Sequence, residues 1–198
     1  MPNMNPKVAS WIRSHLNLIH EGGGQELFYA WEEEFKTDSH NGILSKALMQ
    51  VYSAKDYVRF FRGYLPYRAF NHGEYSEIVF PNPVIIISNR CFYNCLNLVS
   101  IDVSKSSSIK IEEGAFNHCP KLKRVLLGKP DYFLIDATCT LDCPHDMLFV
   151  YDGFMEDCYE AMEVSFHSST ISNHSLHFEC DDGILEVTHD NIKRHPIY

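Results

Sequence analysis

Positive charge is what the last third of this sequence has least of. Residues 131–198 carry 2 basic and 14 acidic side chains, against 7 and 7 in residues 1–62 and 8 and 5 in residues 63–130. The segment nets are 0, +3 and −12, in a chain of 198 residues with net charge −9. A stretch so short of lysine and arginine does not grip a phosphate backbone, which needs cations to displace counterions. It suits a basic protein partner, or solvation alone. Also absent is any run of about 18 apolar residues, so no transmembrane helix is expected. The first six residues have neither a charged nor a continuous apolar stretch, which argues against a secretory signal and for a cytoplasmic protein. Nucleophile elbow, P-loop, H-E-x-x-H and dinucleotide glycine fingerprint are all missing, and with them the usual starting points for an enzyme. Seven cysteines, an odd number, fit a reduced compartment better than a disulfide framework.

What the chain does have is a repeat, set in 45% hydrophobic and 13% aromatic residues that can supply a real core. Phe92 and Phe116, Cys95 and Cys119, Leu98 and Leu122, and Ile101 and Val125 each lie 24 positions apart, as do Ile87 and Ile111. Cys143-Pro144 follows Cys119-Pro120 at the same distance, which aligns Phe149 with Val125 and Tyr151 with Leu127. Upstream, Phe70 precedes Phe92 by 22, and Ile78-Val79-Phe80 takes the place of Ile101-Asp102-Val103. A fixed period of this length marks stacked turns, none of which can bury its apolar face alone. About four turns can be drawn, the outer two degraded. Cys95, Cys119 and Cys143 share one position of the turn, where stacking predicts buried packing thiols.

At these residues the pattern Ala-Phe-x-x-Cys-x-x-Leu-x-x-Ile, with Ile-x-x-x-Ala-Phe before it, resembles the BspA-type leucine-rich repeat. The likeness covers roughly residues 65–163. It implies an α/β fold, a short leucine-rich-repeat solenoid whose turns each carry one short strand opposite an irregular side. It also implies a last turn that runs out as an apolar strand, here residues 147–151, followed by a helix containing Tyr159. As to role, it implies a non-enzymatic interaction scaffold. Strand side chains alternate between faces, so the leucines and isoleucines point inward. The exposed row is then Ser76, Glu77 and Val79, followed by Val99, Ser100 and Asp102, then Lys123, Arg124 and Leu126. Such ribbons are extended binding surfaces.

Outside the repeats the sequence divides at residues 64 and 151. Residues 1–64 read as a helical cap module. Asn5-Pro6 starts a helix with Val8, Trp11, Ile12, His15, Leu16 and Ile19 at helical spacing. A second carries Leu27, Phe28, Trp31 and Phe35, a third Ile43, Leu44, Ala47, Leu48 and Val51. A capping box at Ser53–Asp56 opens a fourth with Tyr57, Phe60, Phe61 and Tyr64. Residues 65–151 are the repeats. In 152–198 an acidic helix, Asp152 to Glu163, precedes a hairpin of Leu176–Cys180 and Ile184–Thr188 around Asp181-Asp182-Gly183.

The function this supports is a protein-binding module, an inhibitor or adaptor. It would dock on a basic or nucleic-acid-binding protein through Glu156, Asp157, Glu160 and Glu163 and through the repeat ribbon. No cofactor, membrane or direct nucleic acid is expected. One alternative is a phage-type, anti-CRISPR-like inhibitor that imitates nucleic-acid charge in a nuclease channel. A second is a zinc protein using Cys139, Cys143, His145 and Cys158, although C-x3-C-x-H is not a standard knuckle spacing. His174, His177 and His189 read as solvated side chains of a polar tail.

Overall fold

The computed structural model describes residues 6–15, 30, 33, 34, 63–65, 70–80, 83–165 and 174–191. Helix α1 (Pro6–Ser14) comes first. The strands are β1 (Tyr64–Leu65), β2 (Glu77–Val79), β3 (Ile86–Ile87), β4 (Ser100–Asp102), β5 (Ser108–Ile111), β6 (Arg124–Gly128), β7 (Tyr132–Asp136) and β8 (Leu148–Tyr151). Helix α2 (Met155–Ala161) then leads into β9 (Met162–Ser165), β10 (Leu176–Cys180) and β11 (Gly183–Val187).

Successive strands fall alternately into two sheets, one ordered β1-β3-β5-β7-β9 and the other β11-β10-β8-β6-β4-β2. Every pairing is parallel except the β10–β11 hairpin. That is a solenoid: each turn lays one strand in each sheet. Three turns are complete among the described residues, with partial turns at either end, where about four had been expected. The side expected to be irregular carries the second sheet. Alternation explains why: β5 reads exposed, buried, exposed, buried, and Ile109 and Ile111 both fill the interior.

The interior columns follow the 24-residue period. Ile78, Ile101, Val125, Phe149 and Phe178 are partners in register across one sheet, and Ile87, Ile111, Ile135 and Val164 across the other. A third column stands at the corner between the sheets. Phe70 stacks on Phe92 at 4.9 Å between ring centroids, and Phe92 on Phe116 at 5.7 Å. The backbone there forms its own ladder. The N–H of Phe70 donates to Cys91 O, that of Phe92 to Ala115 O and that of Phe116 to Cys139 O, each at 2.8 Å. Two residues past each of those phenylalanines the chain turns through a left-handed conformation at His72, Asn94 and His118, φ 54° to 59°. Asp142, one period after His118, does the same at φ 61°. Short polar side chains tolerate that region best.

Two expected positions move. Tyr64 pairs with Ile86 in β1 and is not on a helix. Gly63 beside it has φ +80°, and its carbonyl accepts from Ile85 and Ile86. Tyr151 stands opposite Gly128, not Leu127, because β6 bulges between Leu126 and Gly128. Gly128 has φ +72°, and a Cβ there would lie 2.5 Å from Ser104 O, so this extra residue fits only as glycine.

In the N-terminal part Pro6 opens α1, where its fixed φ suits the first helical turn. Trp11 is buried in the core cluster and stacks on His15 at 4.1 Å. Ala30, Glu33 and Glu34 are helical too. Leu16, Ile19 and the other residues expected in the second, third and fourth helices lie outside the described residues, apart from Tyr64.

At the C-terminal end both sheets run on past Tyr151, since β9 pairs with β7 and β10 with β8. β11 is the outermost strand, and the turn after it folds back over it. Asn191 Nδ2 donates to Glu186 O at 2.8 Å, Thr188 N donates to Asn191 Oδ1 at 2.7 Å, and the Tyr159 hydroxyl of α2 donates to Asn191 O. An edge covered in this way is a poor template for further strand pairing.

Candidate functional site

The residues expected in the exposed row come together on the outer face of the even-numbered sheet. Glu77, Ser100 and Arg124 are register partners, as are Val79, Asp102 and Leu126. Ser76, Val99 and Lys123 precede them in the same order, joined by Val99 N to Ser76 O at 2.7 Å and Lys123 N to Val99 O at 2.9 Å. Val79 is 61% exposed, while Val99, Ser100, Asp102 and Leu126 are half-buried between their neighbours. Arg124 reaches across to Glu179 at 3.2 Å.

The four acidic residues expected on the C-terminal helix have different surroundings. Asp157 pairs with Lys129 at 2.9 Å, and that carboxylate holds the ammonium above its ordinary pKa. Glu163 lies past the end of α2 in β9 and accepts from the Tyr132 hydroxyl at 2.6 Å. That bond raises the phenol to about 12. Glu156 and Glu160 are exposed. The hairpin turn brings in a group that was not paired with the helix in the sequence reading. Asp181 N donates to Gly153 O at 2.9 Å, and Asp182 Oδ1 accepts from Met155 N at 2.8 Å. Asp182 thus satisfies a free N–H at the start of α2, where negative charge also complements the helix dipole. Asp152, Glu156, Asp181 and Asp182 consequently share one end of the molecule, beside Phe154 at 59% exposure.

The cysteines are packing groups with a further bond. Cys95 Sγ donates to Phe70 O at 3.0 Å, Cys119 Sγ to Phe92 O at 3.1 Å and Cys143 Sγ to Phe116 O at 3.1 Å. Each thiol therefore ties its turn to the one before it. The neighbouring Cys95 thiol, and then burial, push Cys119 far above the ordinary thiol value. Burial raises Cys139 and Cys158 strongly and Cys143 to about 11. A thiol held protonated is a poor nucleophile and a poor metal ligand. Among the described residues no group of three or more His, Cys, Asp or Glu side chains could hold a metal ion, so Cys139, Cys143, His145 and Cys158 do not make up a zinc site. No helix among them is long and apolar enough to cross a membrane.

Two parallel sheets joined by a corner of stacked phenylalanines and laddered thiols define a solenoid of the leucine-rich-repeat class. Residues 64–143 match the family model described as BspA type leucine rich repeat region (6 copies). Neither the curated proteins nor the solved structures searched contain a match to the chain. Repeats of this family are typically non-enzymatic scaffolds for protein–protein interaction.

Proposed function

We propose that this protein is a non-catalytic binding module that docks on a basic protein surface through the acidic end of its solenoid, with the repeat ribbon as the adjoining contact. The observation that carries this reading is the meeting of Asp152, Glu156, Asp181 and Asp182, drawn from two segments nearly 30 residues apart, around the exposed ring of Phe154. An apolar anchor with a charged rim is how protein interfaces are commonly built. The rim charges would steer association, and the aromatic ring would supply affinity. An inhibitor or an adaptor would both work this way. The nuclease-channel version gains no observation beyond charge.

The test starts from a partner captured by affinity purification and then measured as a purified pair. The dissociation constant should rise at least about tenfold between low and moderate salt, because added salt screens the attraction between exposed charges. The informative variant combines Glu156→Gln, Glu160→Gln and Asp181→Asn. Asp157, Glu163 and Asp182 stay intact because they are tied to Lys129, Tyr132 and Met155. An affinity indifferent both to salt and to these three changes would remove acidic docking and leave the ribbon to be tested through Arg124→Ala and Val79→Ala.

A further inference from the structure

The period that fills the corner column with phenyl rings fails once. Position 140, 24 after Phe116, is a threonine. Thr140 is 6% exposed and ends a short 3-10 turn, Ala137–Thr140. Asp136, itself buried, caps that turn by accepting from Thr138 N at 2.8 Å and from the Thr138 hydroxyl at 2.6 Å. The backbone ladder continues through this turn, because Phe116 N donates to Cys139 O and His118 N to Leu141 O. What stops is the aromatic filling.

Where the column stops, a cavity of about 360 Å³ opens. Met147, Phe149 and Leu176 make its apolar floor, and His145, His174 and His177 stand in its wall. Thr140 Oγ1 lies 3.2 Å from His174 Nε2. A hydroxyl in a core slot would cost stability if left unmet. Here it holds one imidazole in place at the cavity wall. The volume is within the usual range for a small-molecule site.

We propose that this cavity binds a small-molecule oxyanion, a carboxylate or a phosphate group, held by His145, His174 and His177, with Thr140 as the positioning residue for His174. Two carboxylates lie near it, and each faces a histidine. Asp142 is the one carboxylate in the lining, and it is engaged by His118 Nδ1 at 3.2 Å. Glu186, on β11, lies 3.7 Å from His177 Nε2. Cys143 also lines the cavity, but its thiol donates to Phe116 O. Burial, then the neighbouring His145 and His177, lower the His174 pKa below the ordinary histidine value. An anion between the three rings would offset their mutual repulsion, so binding should take up protons and strengthen as pH falls. The histidines read from the sequence as a solvated polar tail thus separate: His174 and His177 line the cavity, and His189 lies beside Asp190.

The experiment is calorimetric titration of the full chain with inorganic phosphate and, separately, with succinate, at about pH 5.5 and about pH 8. Binding at the lower pH, at least about tenfold weaker at the higher, is expected for one or both anions. Phosphate alone would point to a phosphorylated ligand, succinate alone to a carboxylate. The His145→Gln/His174→Gln double variant should bind at least about tenfold more weakly. As a control against misfolding, the histidine C–H resonances of the unaltered protein should move on adding the anion. No binding at either pH, pH-independent binding, stationary histidine resonances, or preferential uptake of zinc would each overturn the proposal.

Discussion

Replacing Phe92 by alanine strikes the solenoid where three turns meet. The ring is fully buried, with Phe70 stacked on one side at 4.9 Å and 13° between planes and Phe116 on the other at 5.7 Å and 25°. Phe80 closes the site edge-on at 6.4 Å. Truncating a buried phenylalanine costs about 3–5 kcal/mol in lost transfer energy and residual cavity. Each aromatic stack adds about 0.5–1.5 kcal/mol beyond area. Both neighbours lie in adjacent turns held by the backbone ladder, so the gap has little freedom to collapse, and the upper half of the range is expected. For a chain of this size that corresponds to a drop of about 10 °C in Tm. Urea denaturation is the assay, with the slope m checked for constancy so that the midpoint reports stability alone. A double-mutant cycle with Phe116→Ala isolates the stack, and the coupling should be about 1 kcal/mol. Phe92→Leu, which keeps most of the volume, should cost about 1.5 kcal/mol. A single-variant cost below about 1 kcal/mol, or additivity within about 0.3 kcal/mol, would refute the claim that equivalent residues form continuous interior columns.

Gly128→Ala should destabilise by about 2–4 kcal/mol by the same urea assay, since it combines a left-handed backbone with a Cβ placed against the Ser104 carbonyl. A loss under about 0.5 kcal/mol would mean the β6 bulge is not fixed by that contact. Tyr132 should ionise near pH 12 in a difference spectrum against Tyr132→Phe, its pKa raised by the bond to Glu163. Because the folded value lies above the unfolded value of about 10, this bond's contribution is present below pH 10 and lost as pH climbs through 12. Glu163→Gln should bring the ionisation back down, and no change in that variant would remove Glu163 as the cause.

Much of the fold was legible because a solenoid writes its period into the chain. Ile87 with Ile111, Ile101 with Val125 and Val125 with Phe149 are register partners as their spacing indicates. Spacing misplaced Tyr151 because a bulge adds a residue without altering the residue types around it. The second sheet was harder to see. Its strands β1 and β3 are 2 residues each, too short for alternation to register. The acidic helix and the hairpin turn both stood out in the sequence, but nothing local said that Asp182 would cap that helix. For the cavity the sequence carries one signal: Thr140 stands in the register of Phe116.

Taken alone, the order of residues determined the stacking period, the inward rows of isoleucine, valine and phenylalanine, the shared cysteine position and the Asp181-Asp182 turn. All of these depend on side-chain alternation and spacing within a few dozen residues. Tertiary structure decided that each turn closes through two sheets, that Asp181 and Asp182 meet Asp152 and Glu156 at one end, and that three histidines surround the slot left by a missing phenyl ring. Those juxtapositions depend on how the coil closes and where its last turn stacks, which no local preference specifies.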